Sequence, residues 1–524
     1  MPAKLILVFL FAAAVLLSVP VSADPGTLVY SFPVSAGKTN PHLYLPNQFY
    51  SQMMLYDRLV GYSNEGKIVP ELAESWEVSD DGLVYTFHLR PNVKFSDGTP
   101  FDAEAVVKNF DTILAKRELH SWQEITNKIE KWEAEGPLTF KLTLNSPYAI
   151  TLYDLAAFRP YRFLSPAAFP DSGLTYEGIK APIGTGPWKL VESVPSEYDL
   201  YERNDLYWGK KPTIEKVLVK IIPDPLTRAV AMETGQIDLI HGDGQVAYDA
   251  FDSFSRDSRY ITSISKPVMT ETIAVNTGRY PTDDKSVRLA LQYVIDRDEL
   301  VKGLFLNHQV PAYFYCLPSL PYCDISLTPY PFDLELAAKT LDEGGWKLPE
   351  GATVREKDGK KLEIPFSFSG TDASEKALAE GFQAQAAKAG IAIILRPEEP
   401  DTFLTHNREG NFNLVTLKTW GPPLEPLSYM SGMRDPAIVD FHVQSGLKNK
   451  AEIDQKITRM LSAVDEKEKA DIVRDIYQTL HNEAVYVPVH GISLMEVHRK
   501  GELEGVGFTP NRYQIPFDLI RKLK

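Results

Sequence analysis

Residues 72–110 read LAESWEVSDDGLVYTFHLRPNVKFSDGTPFDAEAVVKNF. Within them Leu83, Tyr85, Phe87 and Leu89 alternate with Val84, Thr86, His88 and Arg90, the period of a half-buried strand. Asp80-Asp81-Gly82 ahead of it is turn chemistry, and Asp97-Gly98 marks a second turn. Asp102 then stands where a helix cap is needed, before Val106, Val107, Phe110, Ile113 and Leu114 on one helical face. Strand, turn and amphipathic helix in one stretch make this an α/β chain rather than an all-helical or all-strand one.

The same alternation continues outward. Residues 214–222 read as a strand, 225–234 as a helix stopping at Gly235, and 237–240 as another short strand. Residues 283–300, 333–341 and 373–389 read as helices, the last stopping at Gly390 before strand-like 391–395. Two more helices, 451–461 and 466–482, follow near the C-terminus. With 524 residues, mixed α/β structure in at least two lobes is expected.

The first residues address compartment. Lys4 precedes the apolar run LILVFLFAAAVLL, and Val21-Ser22-Ala23 is a small-x-small cleavage signature. The run is short of the ~20 residues that span a bilayer, so residues 1–23 are expected to be a cleaved signal peptide, not an uncleaved anchor. A net charge of −15 argues against nucleic acid or an anionic membrane surface as main partner. Two cysteines are too few for a disulfide scaffold or a four-cysteine zinc site. Cys316 and Cys323 flank the loop CLPSLPYC, where export favours a local disulfide over two separate thiols.

Catalytic signatures are missing. There is no His-Glu-x-x-His and no Gly-x-Ser-x-Gly, and Gly37-Lys38-Thr39 lacks the first glycine of a phosphate loop because Phe32 stands there. The ten histidines are dispersed. The expectation is therefore a binding protein and not an enzyme, with an exported peptidase as the rival class. Aromatic residues are abundant, at 7 Trp, 25 Tyr and 25 Phe. Several sit beside charged or turn residues: Trp122 after His120, Trp420 before Gly421-Pro422-Pro423, and Tyr161 between Arg159 and Arg162. Arginine pairs with carboxylates and aromatic faces pack flat ligands, although a given tryptophan is more often core than ligand wall.

Residues 72–110 closely resemble the signature of the family 5 extracytoplasmic solute-binding proteins, which feed peptide and nickel ABC importers. IGTGPWKL (183–190), NDLYWGKKPTIEKV (204–217), PDPLTRAVAMETGQIDLI (223–240) and VRLALQYVIDRDELV (287–301) resemble it too, in order along the chain. NPHLYLPNQ (40–48), RPYRF (159–163), GIKAPIGTGPW (178–188), TWGPP (419–423), LHNEAVYVP (480–488) and QIPFDLI (514–520) most resemble the nickel-binding branch.

The resemblance implies a bilobal periplasmic-binding-protein fold, type II and cluster C-like, with an extra subdomain in lobe one. Lobe one would be 24–267 plus 493–524, and lobe two 268–492. It also implies a ligand clamped between lobes, periplasmic location, an inner-membrane ABC permease as partner and a monomeric receptor. The implied cargo is nickel chelated by small organic molecules such as histidine, with a di- or oligopeptide as the alternative and no resident cofactor. A chaperone-like peptide holder is a further alternative. Arg159 matches the family's carboxylate-binding arginine, Trp122 and Trp420 match pocket tryptophans, and Tyr44 and Tyr513 fall in matching segments. The departures are Phe49 where the best-known nickel receptor has methionine, Leu119 for an arginine, and Leu404 and Leu424 for pocket tyrosines. Its loop histidine aligns with Ile438, leaving His442, four residues on, as the candidate metal ligand.

Overall fold

The computed structural model describes residues 26–43 and 48–523. The expected signal peptide, residues 1–23, and Tyr44 lie outside the described residues. Among those described, no helix is long and apolar enough to cross a membrane.

Three sheets organise the chain. The largest has seven strands in the spatial order Tyr260–Ile264, Met495–Arg499, Leu239–Gly242, Thr27–Phe32, Lys216–Ile221, Tyr198–Arg203 and Trp188–Val194. Thr27–Phe32 runs parallel to both neighbours and is buried along nearly its whole length. That is why it reads as continuous TLVYSF and not as an alternating strand. The second sheet has six strands, ordered Val310–Pro311, Tyr486–Ile492, Met269–Val275, Leu414–Lys418, Glu363–Ser369 and Ala392–Glu398. Its inner strands Met269–Val275 and Tyr486–Ile492 are buried at every residue.

The stretch quoted first lies in a separate antiparallel sheet of Ala73–Val78, Val84–Leu89, Thr139–Leu144 and Ile129–Gly136. In Val84–Leu89 the residues Tyr85, Phe87 and Leu89 are buried and the intervening ones partly exposed. Helix Ala103–Leu114 covers this sheet, with Asp102 accepting the Ala105 N–H at 2.9 Å as its cap. Phe110 meets Phe140 at 5.0 Å across that seam.

One reading is corrected. Residues 283–300 form not one helix but two, Lys285–Tyr293 and Arg297–Phe305. Asp296 breaks the run: its side chain caps the second helix through the Glu299 N–H at 2.9 Å, and its own N–H donates to Gln385 at 2.9 Å. The strand expected at 237–240 is displaced to Leu239–Gly242.

The chain passes between the two large sheets twice. Tyr260–Ile264 leads into Met269–Val275, and Tyr486–Ile492 leads into Met495–Arg499. The two crossings lie side by side. Ser265 N–H donates to the Leu494 carbonyl at 2.9 Å, and Val268 N–H to the Ile492 carbonyl at 2.8 Å. Val268, Met269, Ile492 and Leu494 bury one another there. Cys316 and Cys323 are joined in a disulfide, with Cα atoms 5.7 Å apart.

Candidate functional site

An aromatic cluster gathers side chains from five separated parts of the sequence. Phe49 opens the short helix Phe49–Leu55, and Phe158 and Arg159 follow the helix Thr151–Leu155. Trp122 follows the turn Arg117–His120, Trp420 follows the strand Leu414–Lys418, and Tyr513 lies in the C-terminal segment. Ala157, Phe158 and Leu424 form the buried centre, with Phe49, Met53, Trp122, Trp420 and Tyr513 packed on it. Phe49 lies 4.4 Å from both Phe158 and Tyr513, ring centre to ring centre. Trp122 stacks on Phe158 at 6.4 Å and meets Trp420 edge to face at 5.4 Å. Such offset and edge contacts are the favourable aromatic arrangements.

Arg159 is the cationic member. It is 7% exposed, and its guanidinium carbon lies 4.3 Å from the Phe49 ring centre and 6.0 Å from that of Phe158. Its Nη1 donates to the Leu43 carbonyl at 3.4 Å. A guanidinium over aromatic faces keeps its planar donor fork while losing water. Two buried imidazoles from neighbouring segments are held neutral. Burial lowers His120 to about 3, with the His42 and Arg159 charges adding to the effect. Burial likewise lowers His42 to about 4.

Backbone chemistry explains the placement of Trp420. Gly421 has φ of 70°, the left-handed region that favours glycine, and a Cβ there would meet the Val268 carbonyl at 2.9 Å. Glu425 closes this turn by accepting the Gly421 N–H at 3.0 Å. Burial pushes the Glu425 carboxyl up to about 7. Gly432 makes room for the indole, since a Cβ there would lie 3.0 Å from it.

Polar contacts tie the segments around Trp122 and Phe158 to the one that follows Trp420. Asp154 accepts from the Ser428 hydroxyl and, at 2.9 Å, from Tyr148. Glu124 accepts from Ser431 at 2.6 Å and pairs with Arg434.

Of the residues expected from sequence, Arg159, Trp122, Trp420, Phe49, Leu424 and Tyr513 come together. Leu404 does not join them: it stands 43% exposed on helix Pro400–Glu409, which buries none of its residues. His442 lies elsewhere, on Val439–Gln444, with Nε2 at 2.9 Å from the carbonyls of Arg408 and Pro436. Carbonyls only accept, so that nitrogen carries a proton and is not a metal ligand in this arrangement. Among the described residues no group of three His, Cys, Asp or Glu is arranged to hold a metal. Sequence reasoning missed Phe158, whose signal was its adjacency to Arg159.

The model of the bacterial extracellular solute-binding proteins, family 5 Middle, matches residues 67–440. The chain belongs to this family. It is 42% identical over 504 residues to the nickel-binding periplasmic protein of Escherichia coli K12, covering 96% of each chain. It is 30% identical over 300 residues to the glutathione-binding protein GsiB of Pectobacterium atrosepticum, 57% of each chain. Among solved structures it superimposes on NikA from Brucella suis, in complex with Fe(III)-EDTA, with a TM-score of 0.92 and 43% identity. That match covers 95% of this chain and 99% of the other. The two large sheets are thus the two lobes of a type II periplasmic-binding-protein fold, and the four-stranded sheet is an addition to one of them.

Proposed function

We propose that this chain is the periplasmic receptor of an ABC importer, and that it captures nickel as a complex with a small organic chelator. The observation that carries the reading is the Arg159–aromatic cluster, in a chain 42% identical end to end to a nickel-binding periplasmic protein. A chelate of this kind is compact and flat and presents carboxylates. Arg159 supplies a bidentate, charge-assisted contact, while the indoles of Trp122 and Trp420 cover the chelate and exclude water. A chelator that fills the metal's coordination shell needs no protein imidazole, so the distant His442 is no obstacle.

Residues 24–267 with 493–524 form one lobe and 268–492 the other, and residues 1–23 direct export. Ligand contacts to both lobes favour the closed form, which an inner-membrane permease then recognises. The receptor works as a monomer, without resident cofactor and without catalysis.

A short peptide is the second reading, supported by the GsiB relatives and by the apolar Leu424 at the buried centre of the cluster. Calorimetry on metal-stripped protein separates the two. Titration with nickel plus histidine is expected to give saturable heat. Heat from a dipeptide mixture, with none from any nickel sample, overturns the nickel reading.

A further inference from the structure

A second compartment adjoins the aromatic cluster. It has a volume of about 270 Å³, and it is lined by Phe49, whose ring carries Arg159, and by Tyr513, whose ring lies 4.4 Å from that of Phe49. Tyr30, His241, Asp243 and Arg512 line the rest of the wall that matters here.

Arg512 is held as a presented cation. It sits in a turn fixed by Asn511, whose side-chain oxygen accepts the Tyr513 N–H at 3.1 Å and whose carbonyl accepts the Gln514 N–H at 2.9 Å. Thr509 donates to the Asn511 carbonyl at 2.8 Å and locks the turn from outside. The guanidinium carbon lies 4.6 Å from the Tyr513 ring centre, and Nη1 is 3.0 Å from the Met269 sulfur, a weak acceptor. Arg512 is only partly exposed, yet among the described residues no carboxylate lies within ion-pair distance of it. The acids around it have other partners. Glu271 is bonded to His490 at 2.8 Å, and Asp243 acts on the Lys418 ammonium. A half-buried guanidinium with its fork directed to sulfur and an aromatic face retains most of its donors for a planar anion.

We infer that Arg512 is a specificity-determining residue that reads a second carboxylate of the ligand, next to the Phe49–Tyr513 ring pair that also carries Arg159. The preferred cargo is then a chelate that carries carboxylates at both ends, and the two arginines measure the span between them. This rests on the receptor reading above and adds a residue and a ligand class to it.

Calorimetry with nickel–citrate and nickel–histidine tests the role on wild type, Arg512→Gln and Arg512→Lys. Wild type is expected to favour nickel–citrate. Arg512→Gln should narrow that preference by about tenfold or more, the scale of one lost charged hydrogen bond. Arg512→Lys, which keeps the charge near Glu271 but loses the fork, should fold normally and lose part of the preference. An unchanged citrate-to-histidine ratio in Arg512→Gln overturns the inference, and so does a wild type that binds nickel–histidine but not nickel–citrate. Equal weakening of both complexes with a lowered melting midpoint also overturns it, because Arg512 is then only a counter-ion of Glu271. A wild type that binds neither complex while binding peptides has a separate signature and fails the nickel reading itself.

Discussion

Replacing Asp154 with asparagine changes a fully buried carboxyl into its neutral isostere where it joins Ser428, distant in sequence, to Tyr148. Burial pushes this carboxyl from its ordinary 3.8 up to about 7, against the opposing pull of the Ser428 and Tyr148 hydroxyls. An acid whose folded value is raised loses nothing below its unfolded value. Above that, the unfolded chain releases a proton that the folded chain retains, so stability falls as pH rises from about 4 to about 7. The gap between 3.8 and about 7, at about 1.4 kcal/mol per unit of pH, sets a ceiling of about 4 kcal/mol. No discount for solvent applies to a side chain in a residue that is 0% exposed. Asparagine does not titrate. The difference between Asp154→Asn and wild type should therefore grow in favour of the variant across that window and level off above it. Asp57 and Glu425, also raised to about 7 by burial, cancel in this comparison because both proteins contain them. Scanning calorimetry of the two proteins from pH about 4 to about 8 makes the measurement. A difference that stays flat across the window refutes the argument, since it means that the Asp154 carboxyl already ionises in its ordinary range.

Arg159→Gln should weaken a carboxylate-bearing nickel complex by about 1.5–3 kcal/mol in a calorimetric titration; unchanged affinity removes Arg159 from the site. Asp102→Ala should lower stability by about 1 kcal/mol through the lost Ala105 cap, read by thermal unfolding with ligand affinity intact. The double variant Cys316→Ser, Cys323→Ser should cost about 2–3 kcal/mol, since the disulfide closes a loop of sequence separation 7. An unchanged melting midpoint in that variant counts against the bond's contributing to stability.

Local chemistry was the legible part of the fold. The strand Val84–Leu89 has alternating side chains because one face meets the core, and that alternation is written in the residues. Asp102 and Gly235 announce the ends of helices through their own hydrogen bonding and backbone freedom. The break at Asp296 was not legible, because part of its cause is Gln385, from a different helix. The candidate site was less legible still. Phe49, Phe158 and Tyr513 come from three distant segments of the chain that meet only in the folded protein, and no periodicity joins them. Resemblance brought in Arg159, Trp122 and Trp420, but it also nominated His442 and Leu404, which the fold holds elsewhere. Residues of matching alignment keep their role only where the local backbone keeps its path.

The strand order of the largest sheet sets a timetable for how this protein is made. Met495–Arg499 lies between Tyr260–Ile264 and Leu239–Gly242, pairing antiparallel with both. A chain emerging from the ribosome exposes those two flanking strands long before the strand that joins them exists. Until then the edges of Leu239–Gly242 and Tyr260–Ile264 are unpaired, a state prone to wrong pairing. The six-stranded sheet, drawn wholly from residues 269–492, can form first from an uninterrupted stretch, whereas the seven-stranded sheet that begins the chain closes last. Synthesis order and completion order are therefore inverted, and a truncation just before residue 495 should spoil the beginning of the molecule more than its middle.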